Sequence, residues 1–433
     1  MHKQNKQMQY RKDHTYYGFA ICTIAALFYC YEFVLRILPG ILHSELSVKF
    51  GNISAAMFGQ IAALYYFAYS PMQLPVGMLM DRFGPRRLLT IACACCAMGS
   101  YMFAFSEQLY LVGIGRFMVG FGSAFAFVGV LTLSTMWLPK RLFSLFVGLM
   151  TTLGMLGNVY AAMKITSMTE TLGIGNVLMT TVVIGGLLML VICFFVRDNK
   201  DYMQDHNISL KPFLKEVFQV LSSSKVWLVG IVGAFLYTSL SVFGELWGQT
   251  YLEQAHHLTK IQSAQTISML FIGWAVGAPL SGYLSDKFSN RILPLMVGAV
   301  IGLLSIYAVI FMQNLSYLTL KLLILVYGLA TSTEIIVFAM AKELSGAKIS
   351  GTVFAVTNMI VTLVGGLLQP TVGWILDFMG NRSFEVDHYV YQISDYQRAL
   401  AILPFSMIVV IILLFVLKEP KTFSTHASQK FLQ

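Results

Sequence analysis

Charged side chains are scarce here: Asp, Glu, Lys and Arg make up 11% of the 433 residues, against roughly 25% in ordinary soluble domains. With 57% hydrophobic residues and a mean hydropathy of +0.71, a water-soluble globule is excluded and an integral membrane protein is expected. Cysteines are few, and Cys22, Cys30, Cys93, Cys95, Cys96 and Cys193 all lie inside apolar runs without metal-ligand spacing, so they read as small buried hydrophobes. A Walker-type phosphate loop is absent, and so is a nucleophile with a base nearby; neither ATP-driven transport nor hydrolysis is supported, and no enzymatic role, cofactor or metal is expected. The formal net charge of +9 is not gathered into a stripe. Basic residues instead fall at the ends of hydrophobic runs, which points to membrane orientation and excludes a nucleic-acid partner. The polar, basic stretch from Met1 to Asp13 precedes a first run that no small-residue cleavage site follows, so that run is read as a retained span and not as a signal peptide.

What is present is length in apolar runs. A bilayer-crossing helix needs about 20 apolar residues, and that window finds twelve runs, roughly 16–41, 55–80, 87–106, 109–137, 143–165 and 173–196, then 226–252, 263–285, 292–312, 317–341, 352–378 and 399–417. The longest polar segment divides them. The expected organisation is a tail 1–15, a six-helix unit 16–196, a linker 197–225, a second six-helix unit 226–417 and a tail 418–433. Within the linker, Pro212 to Leu221 has apolar residues at helical spacing, as for a helix lying on the membrane surface. Alternate loops differ in charge. One side collects Lys3, Lys6, Arg11, Lys12, Arg82, Arg86, Arg87, Lys140, Arg141, the linker with Lys200 and Lys211, Lys287, Arg291, Lys342, Lys348, Lys418 and Lys421. The other holds Lys49, Lys164, Lys260 and Arg382 with six acids that include Glu253, Glu385 and Asp387. Both termini are therefore expected in the cytoplasm.

A short charged stretch appears twice. Gly77, Asp81, Arg82, Phe83, Gly84, Arg86 and Arg87 follow the second run, and Gly282, Asp286, Lys287, Phe288, Ser289 and Arg291 follow the eighth. In each, the Gly allows close helix contact, the Asp can accept from the free N–H groups of a neighbouring helix start, and the cations favour the interface. The paired stretches sit between apolar spans in each half, which marks a duplicated unit. They resemble the signature loop of the major facilitator superfamily of secondary transporters, and Arg116-Phe117-Met118-Val119-Gly120 on the fourth run resembles the Arg-and-glycine pattern of that superfamily's helix four. That resemblance implies an all-α fold of twelve membrane helices in two pseudosymmetric six-helix bundles rocking about a central cavity lined by helices one, four, seven and ten. It also implies gating roles for Asp81, near Ser350 and Gly351, and for Asp286, near Arg141. Ser289 departs from the pattern where the first copy has Gly84.

The cavity also has an argument from the residues. A charge at the bilayer centre costs about 2.5–3.5 kcal/mol on insertion scales, so it persists only where protein, water or a partner compensates it. Five stand out: Glu32 and Arg36 on the first run, Arg116 on the fourth, Glu245 on the seventh and Glu334 on the tenth. Glu32 and Arg36 share a helix face and can pair, or Arg36 and Arg116 can present guanidinium forks to a carboxylate or phosphate. By the resemblance, Arg116 alternatively holds helix four in the bundle or serves proton coupling. Glu245 belongs to a stripe with Tyr237, Ser241 and Gln249, while Glu334 follows Tyr327 and Thr331. The expected substrate ligands are Arg36, Arg116, Tyr237, Glu245, Gln249, Tyr327 and Asn358, with Glu32, Glu245 and Glu334 as proton carriers. Tyr65, Tyr66, Gln73, Asn158, Thr362 and Gln369 read as hydrogen-bond partners between helices. Glycines 148, 154, 157, 273, 277 and 282 read as sites of close helix packing.

Two Arg beside three Glu favour proton-coupled symport of a small organic anion or zwitterion, such as a carboxylate, amino acid or peptide. Proton-driven efflux of lipophilic cations and a non-transporting membrane sensor are the alternatives. Expected partners are the substrate, protons and the lipid bilayer, with a monomeric chain in the plasma membrane, which is the inner membrane if the source is bacterial.

Overall fold

The computed structural model describes residues 2–51, 53–198, 210–345, 350–380, 383–385, 388–417 and 419. The readings placed on Lys200, Lys348, Arg382, Asp387, Lys418 and Lys421 lie outside them, and those on Lys3, Lys6, Arg11, Lys12, Lys140, Arg141, Lys211 and Glu385 lie outside the described side chains.

Helix dominates. The first half runs α1 (His2–Ile41), α2 (His43–Lys49), α3 (Ala55–Met72), α4 (Val76–Phe83), α5 (Pro85–Phe105), α6 (Leu109–Trp137), α7 (Lys140–Tyr160), α8 (Thr166–Leu172) and α9 (Ile174–Phe195). The linker segment expected to be helical follows as α10 (Leu210–Leu221). The second half runs α11 (Ser224–Thr238), α12 (Gly248–His256), α13 (Lys260–Lys287), α14 (Ile292–Phe311), α15 (Tyr317–Thr331), α16 (Ile335–Ser345) and α17 (Ser350–Met379), then a short antiparallel ribbon of β1 (Ser383–Glu385) and β2 (His388–Val390), α18 (Ile393–Leu400) and α19 (Ile402–Val416). Eleven spans among the described residues are long and apolar enough to cross a membrane, which makes this a multi-pass membrane protein.

The expected span 55–80 is not among the eleven. Its helix stops at Met72 and restarts at Val76, because Pro75 has no N–H to continue the ladder; Gln60, Tyr65, Tyr66 and Tyr69 also dilute the hydropathy of α3. The phenols are not spent on lipid: α3 lies antiparallel against α17 and Tyr65, Tyr66 and Tyr69 are buried, while Gln60 is exposed. The two backbones almost touch at one end, where a Cβ on Gly373 would lie 2.3 Å from the Ala55 carbonyl oxygen and one on Gly59 would lie 2.8 Å from that of Gln369. Further along, the hydroxyls of Ser70 and Thr362 are 2.8 Å apart and the Asn358 amide donates to Gln73 at 3.0 Å.

Close packing at glycine is found where expected for Gly154 and Gly157 against α1, and for Gly273 and Gly277 against α15 and Ser332. It is not found at Gly77, Gly148 or Gly282, where a Cβ would meet nothing within 4 Å, so these three do not serve helix contact in this conformation. Asn158 departs from expectation too: it is buried, yet neither amide atom has a hydrogen-bond partner among the described residues.

The two charged stretches each sit beside a carboxylate that caps the next helix. In the first half Asp198, just past α9, accepts from the backbone N–H of Arg86 at 2.8 Å, and the Arg86 guanidinium donates to the Cys193 carbonyl at 2.7 and 3.0 Å. Burial raises the pKa of Asp198, against the pull of this hydrogen bond and of Arg86 and Arg87. In the second half Glu419, past α19, accepts from the N–H groups of Arg291 and Ile292 at 2.6 and 3.1 Å. The Arg291 side chain then joins Asp286 at 2.6 Å and Glu343 at 2.8 Å, so the Asp286 carboxylate is held by a neighbour in its own loop. Asp81 is partly buried in the last turn of α4, Arg82 lies over the Phe83 ring and Lys287 over that of Tyr283. Gly84 has φ +84° and Ser289 has φ +48°, so the second copy keeps a left-handed turn without the residue that adopts it freely.

Candidate functional site

The sequence-predicted charges converge on Arg36. It and Glu32 lie one turn apart on α1, and Nη2 donates to both carboxylate oxygens at 3.0 Å. Nε donates to the Tyr65 hydroxyl at 3.1 Å, and that hydroxyl donates in turn to Glu32 at 2.9 Å. Nη1 crosses to the second half, donating to the Tyr237 hydroxyl at 2.9 Å and standing 4.0 Å from Glu245. Tyr66 donates to the other Glu245 oxygen and lies 3.4 Å from Tyr237. The rings of Phe33, Tyr65 and Tyr69 surround the guanidinium carbon at 4.6 to 5.3 Å. One cation is thus shared between two carboxylates from different halves of the chain. None of these groups is more than 9% exposed, and such a charge set survives burial only because the donors find acceptors.

Irregular helix puts the second-half acids in place. Between α11 and α12 the span continues as a π-helix, Ser239–Trp247, whose i→i+5 bonds widen each turn. That widening counters the drift of a four-residue stripe around an α-helix, so Tyr237 and Glu245, eight positions apart, meet the same partners on α1 and α3. At the close approach a Cβ on Gly40 would lie 2.3 Å from the Glu245 carbonyl oxygen, which is why α1 has glycine there. Glu334 ends a single 3₁₀ turn, Ser332–Glu334, between α15 and α16.

The remaining predicted residues separate. Arg116 donates to the carbonyls of Leu35 and Arg36 at 2.9 and 3.4 Å and lies over the Tyr65 ring, so it braces α1 in this conformation and presents no fork to a ligand. Gln249 donates to Glu253 at 3.2 Å and Asn358 pairs with Gln73; neither joins the Arg36 group. Tyr327 is buried with its hydroxyl unpartnered among the described residues. Glu334 is 4% exposed and likewise has no hydrogen bond or ion pair among them. It lies one turn from Val337, which packs on Gly233, and thus at the level of Tyr237. Trp274 links the two regions, its ring 6.2 Å from Tyr237 and its N–H directed at Ser239 and Thr331. Tyr65 and Tyr66 bond between helices as the sequence reading expects, but that reading does not place them around Arg36 and assigns nothing to Tyr69. Their signal was three phenols within five positions of an otherwise apolar run.

The sequence signature described as Major Facilitator Superfamily matches residues 20–370. The chain belongs to that superfamily. As a member it is a secondary transporter by class. It is 23% identical over 365 residues, 76% of this chain and 81% of the relative, to an uncharacterized transporter of Bacillus subtilis (strain 168). It is also 23% identical to a lysosomal dipeptide transporter of Danio rerio, covering 83% of this chain and 79% of the relative, and 22% identical to a probable sulfoacetate transporter of Cupriavidus necator, covering 76% and 82%. Among solved folds, a bacterial homologue of the lysosomal transporter Spinster in an inward-facing, unoccupied conformation superposes with TM-score 0.71 at 16% identity, covering 96% of this chain and 98% of that one. The nucleoside transporter NupG superposes with TM-score 0.75 at 14% identity, covering 92% and 99%. At those identities the superfamily fold is what is shared.

Proposed function

We propose that this superfamily member is a proton-coupled symporter for a small organic anion or zwitterion bearing a carboxylate or similar acid group. In this reading α3 and α4 together form the twelfth span, both termini are cytoplasmic, and residues 16–196 and 226–417 are six-helix bundles that expose a central site to each face in turn. The chain works as a monomer in the plasma membrane, and Asp81 and Asp286 act at the cytoplasmic gate. The observation that carries the substrate class is the shared Arg36 guanidinium, a buried fork that reaches residues of both halves. A ligand carboxylate would take Nη1 from Glu245 once Glu245 accepts a proton, because two ionised carboxylates cannot both hold that edge of one Arg. Proton and substrate then enter together. Two relatives named for ionised small solutes, a dipeptide and sulfoacetate, support the same class.

Glu334 motivates a second reading, in which an unpartnered acid receives a lipophilic cation for export. Uptake into proteoliposomes under an imposed pH gradient separates the two. We expect a labelled dipeptide or sulfonate to accumulate with the gradient, and Arg36→Ala to abolish it. Accumulation of a cation alone, lost in Glu334→Gln, would favour the second reading, and flux indifferent to the gradient would remove proton coupling.

A further inference from the structure

At the end that the charge count assigns to the exterior, the halves are joined by polar contacts as well as by close backbones. The Asp377 carboxylate of α17 accepts from the first N–H groups of α3, Ala55 and Ala56, at 3.3 and 2.9 Å, and Tyr391 donates to it at 2.5 Å. Glu45 on α2 pairs with Lys260 at the start of α13 at 2.6 Å. Between these two closures sits His43, its ring 4.3 Å from that of Phe58 on α3 and 5.9 Å from that of Trp247 in the π segment, whose N–H donates to the Gln369 carbonyl at 3.0 Å. His43 and Phe58 belong to the first half and Trp247 to the second, so the stack crosses the seam that must part if this end opens. Neither His43 nitrogen has a hydrogen-bond partner among the described residues.

We infer that His43 is the proton sensor of this outer gate: a neutral imidazole fits the closed aromatic stack, and a protonated one favours the open, hydrated arrangement. The charged groups facing the ring are Glu45 from its own helix and Lys260 from α13, with Glu253 of α12 beyond Lys260; Phe58 and Trp247 bring none. Burial lowers the His43 pKa from 6.5 to about 4, Glu45 opposes that shift and Lys260 adds to it. A pKa depressed in the closed state means that protonation works against closure from about pH 6.5 down to about pH 4, and leaves the gate untouched above that window. If hydration restores the ordinary value, the open-to-closed ratio at pH 5 rises roughly 30-fold over that at pH 8. Acid on the outer side would thus recruit the state that admits proton and substrate.

The inference rests on the reading that this end opens during transport, but its test needs no substrate, so its failure is separable from failure of the symport reading. Click-attached nitroxides at the exposed positions Val48 and Ile261 would report outer separation by electron–electron double resonance in the full chain in nanodiscs. We expect the long-distance population to grow on going from pH 8 to 5, His43→Gln to erase that growth, and Glu45→Gln to open the gate further at both pH values while keeping the shift. Growth that persists in His43→Gln, or disappears in Glu45→Gln, overturns the inference. On the unmutated chain, exchange of the Ala55 and Ala56 amides, corrected for intrinsic rates, should quicken over the same pH interval, and unchanged protection would equally overturn it.

Discussion

Arg36 and Glu334 are both buried ionisable groups inside the membrane spans, yet one is surrounded by partners and the other has none among the described residues. The Arg36 group is a closed circuit of four helical elements, so every member depends on the rest. Glu334 stands apart, on a tight turn, with nothing to lose but its proton. On the proposed function, the contrast separates two jobs that burial alone cannot distinguish: holding the halves in register around a site, and exchanging a proton without disturbing them.

Breaking the circuit should produce the largest effect. Arg36→Ala leaves Glu32 and Glu245 buried without their cation, and we expect a loss of about 3–5 kcal/mol in stability together with loss of transport. Arg36→Lys should not restore flux, since one ammonium cannot serve both Glu32 oxygens, Tyr65 and Tyr237 at once. Thermal unfolding and uptake on the same preparations check both. Glu334→Gln is the sharper half of the comparison. Because no partner is stranded, we expect stability within about 1 kcal/mol of wild type and a flattened pH dependence of uptake; a large destabilisation would mean that Glu334 is structural after all. The smallest effect concerns the two loop copies. Ser289→Gly should stabilise the second loop by up to about 1 kcal/mol by relieving a left-handed serine, measurable as a raised unfolding midpoint with transport unchanged.

Much of this could be read beforehand. Long apolar runs, loop charge and the repeated Gly-to-Arg stretches pointed to the superfamily and to eleven of the spans, because lipid leaves a sequence little choice but helix. The break at Pro75 is legible in kind, but an apolar window counts straight through it. Within the site, helix spacing predicted the Glu32–Arg36 pair, a local feature, and placed Tyr237 with Glu245. It could not assign Arg116, whose targets are backbone carbonyls of another helix, nor the phenols of α3, whose partners depend on how α1, α3 and the π segment meet. A π-helix leaves no periodic mark in composition, and contacts between chain halves are the least local information a sequence carries.

The paired caps of Asp198 and Glu419 have a consequence for how the molecule could be divided. Each carboxylate clasps the third span of its half from just beyond the sixth, closing that half upon itself. A cut anywhere in 199–209 leaves both clasps intact, so the halves should tolerate synthesis as two separate polypeptides and find each other through the α3–α17 seam.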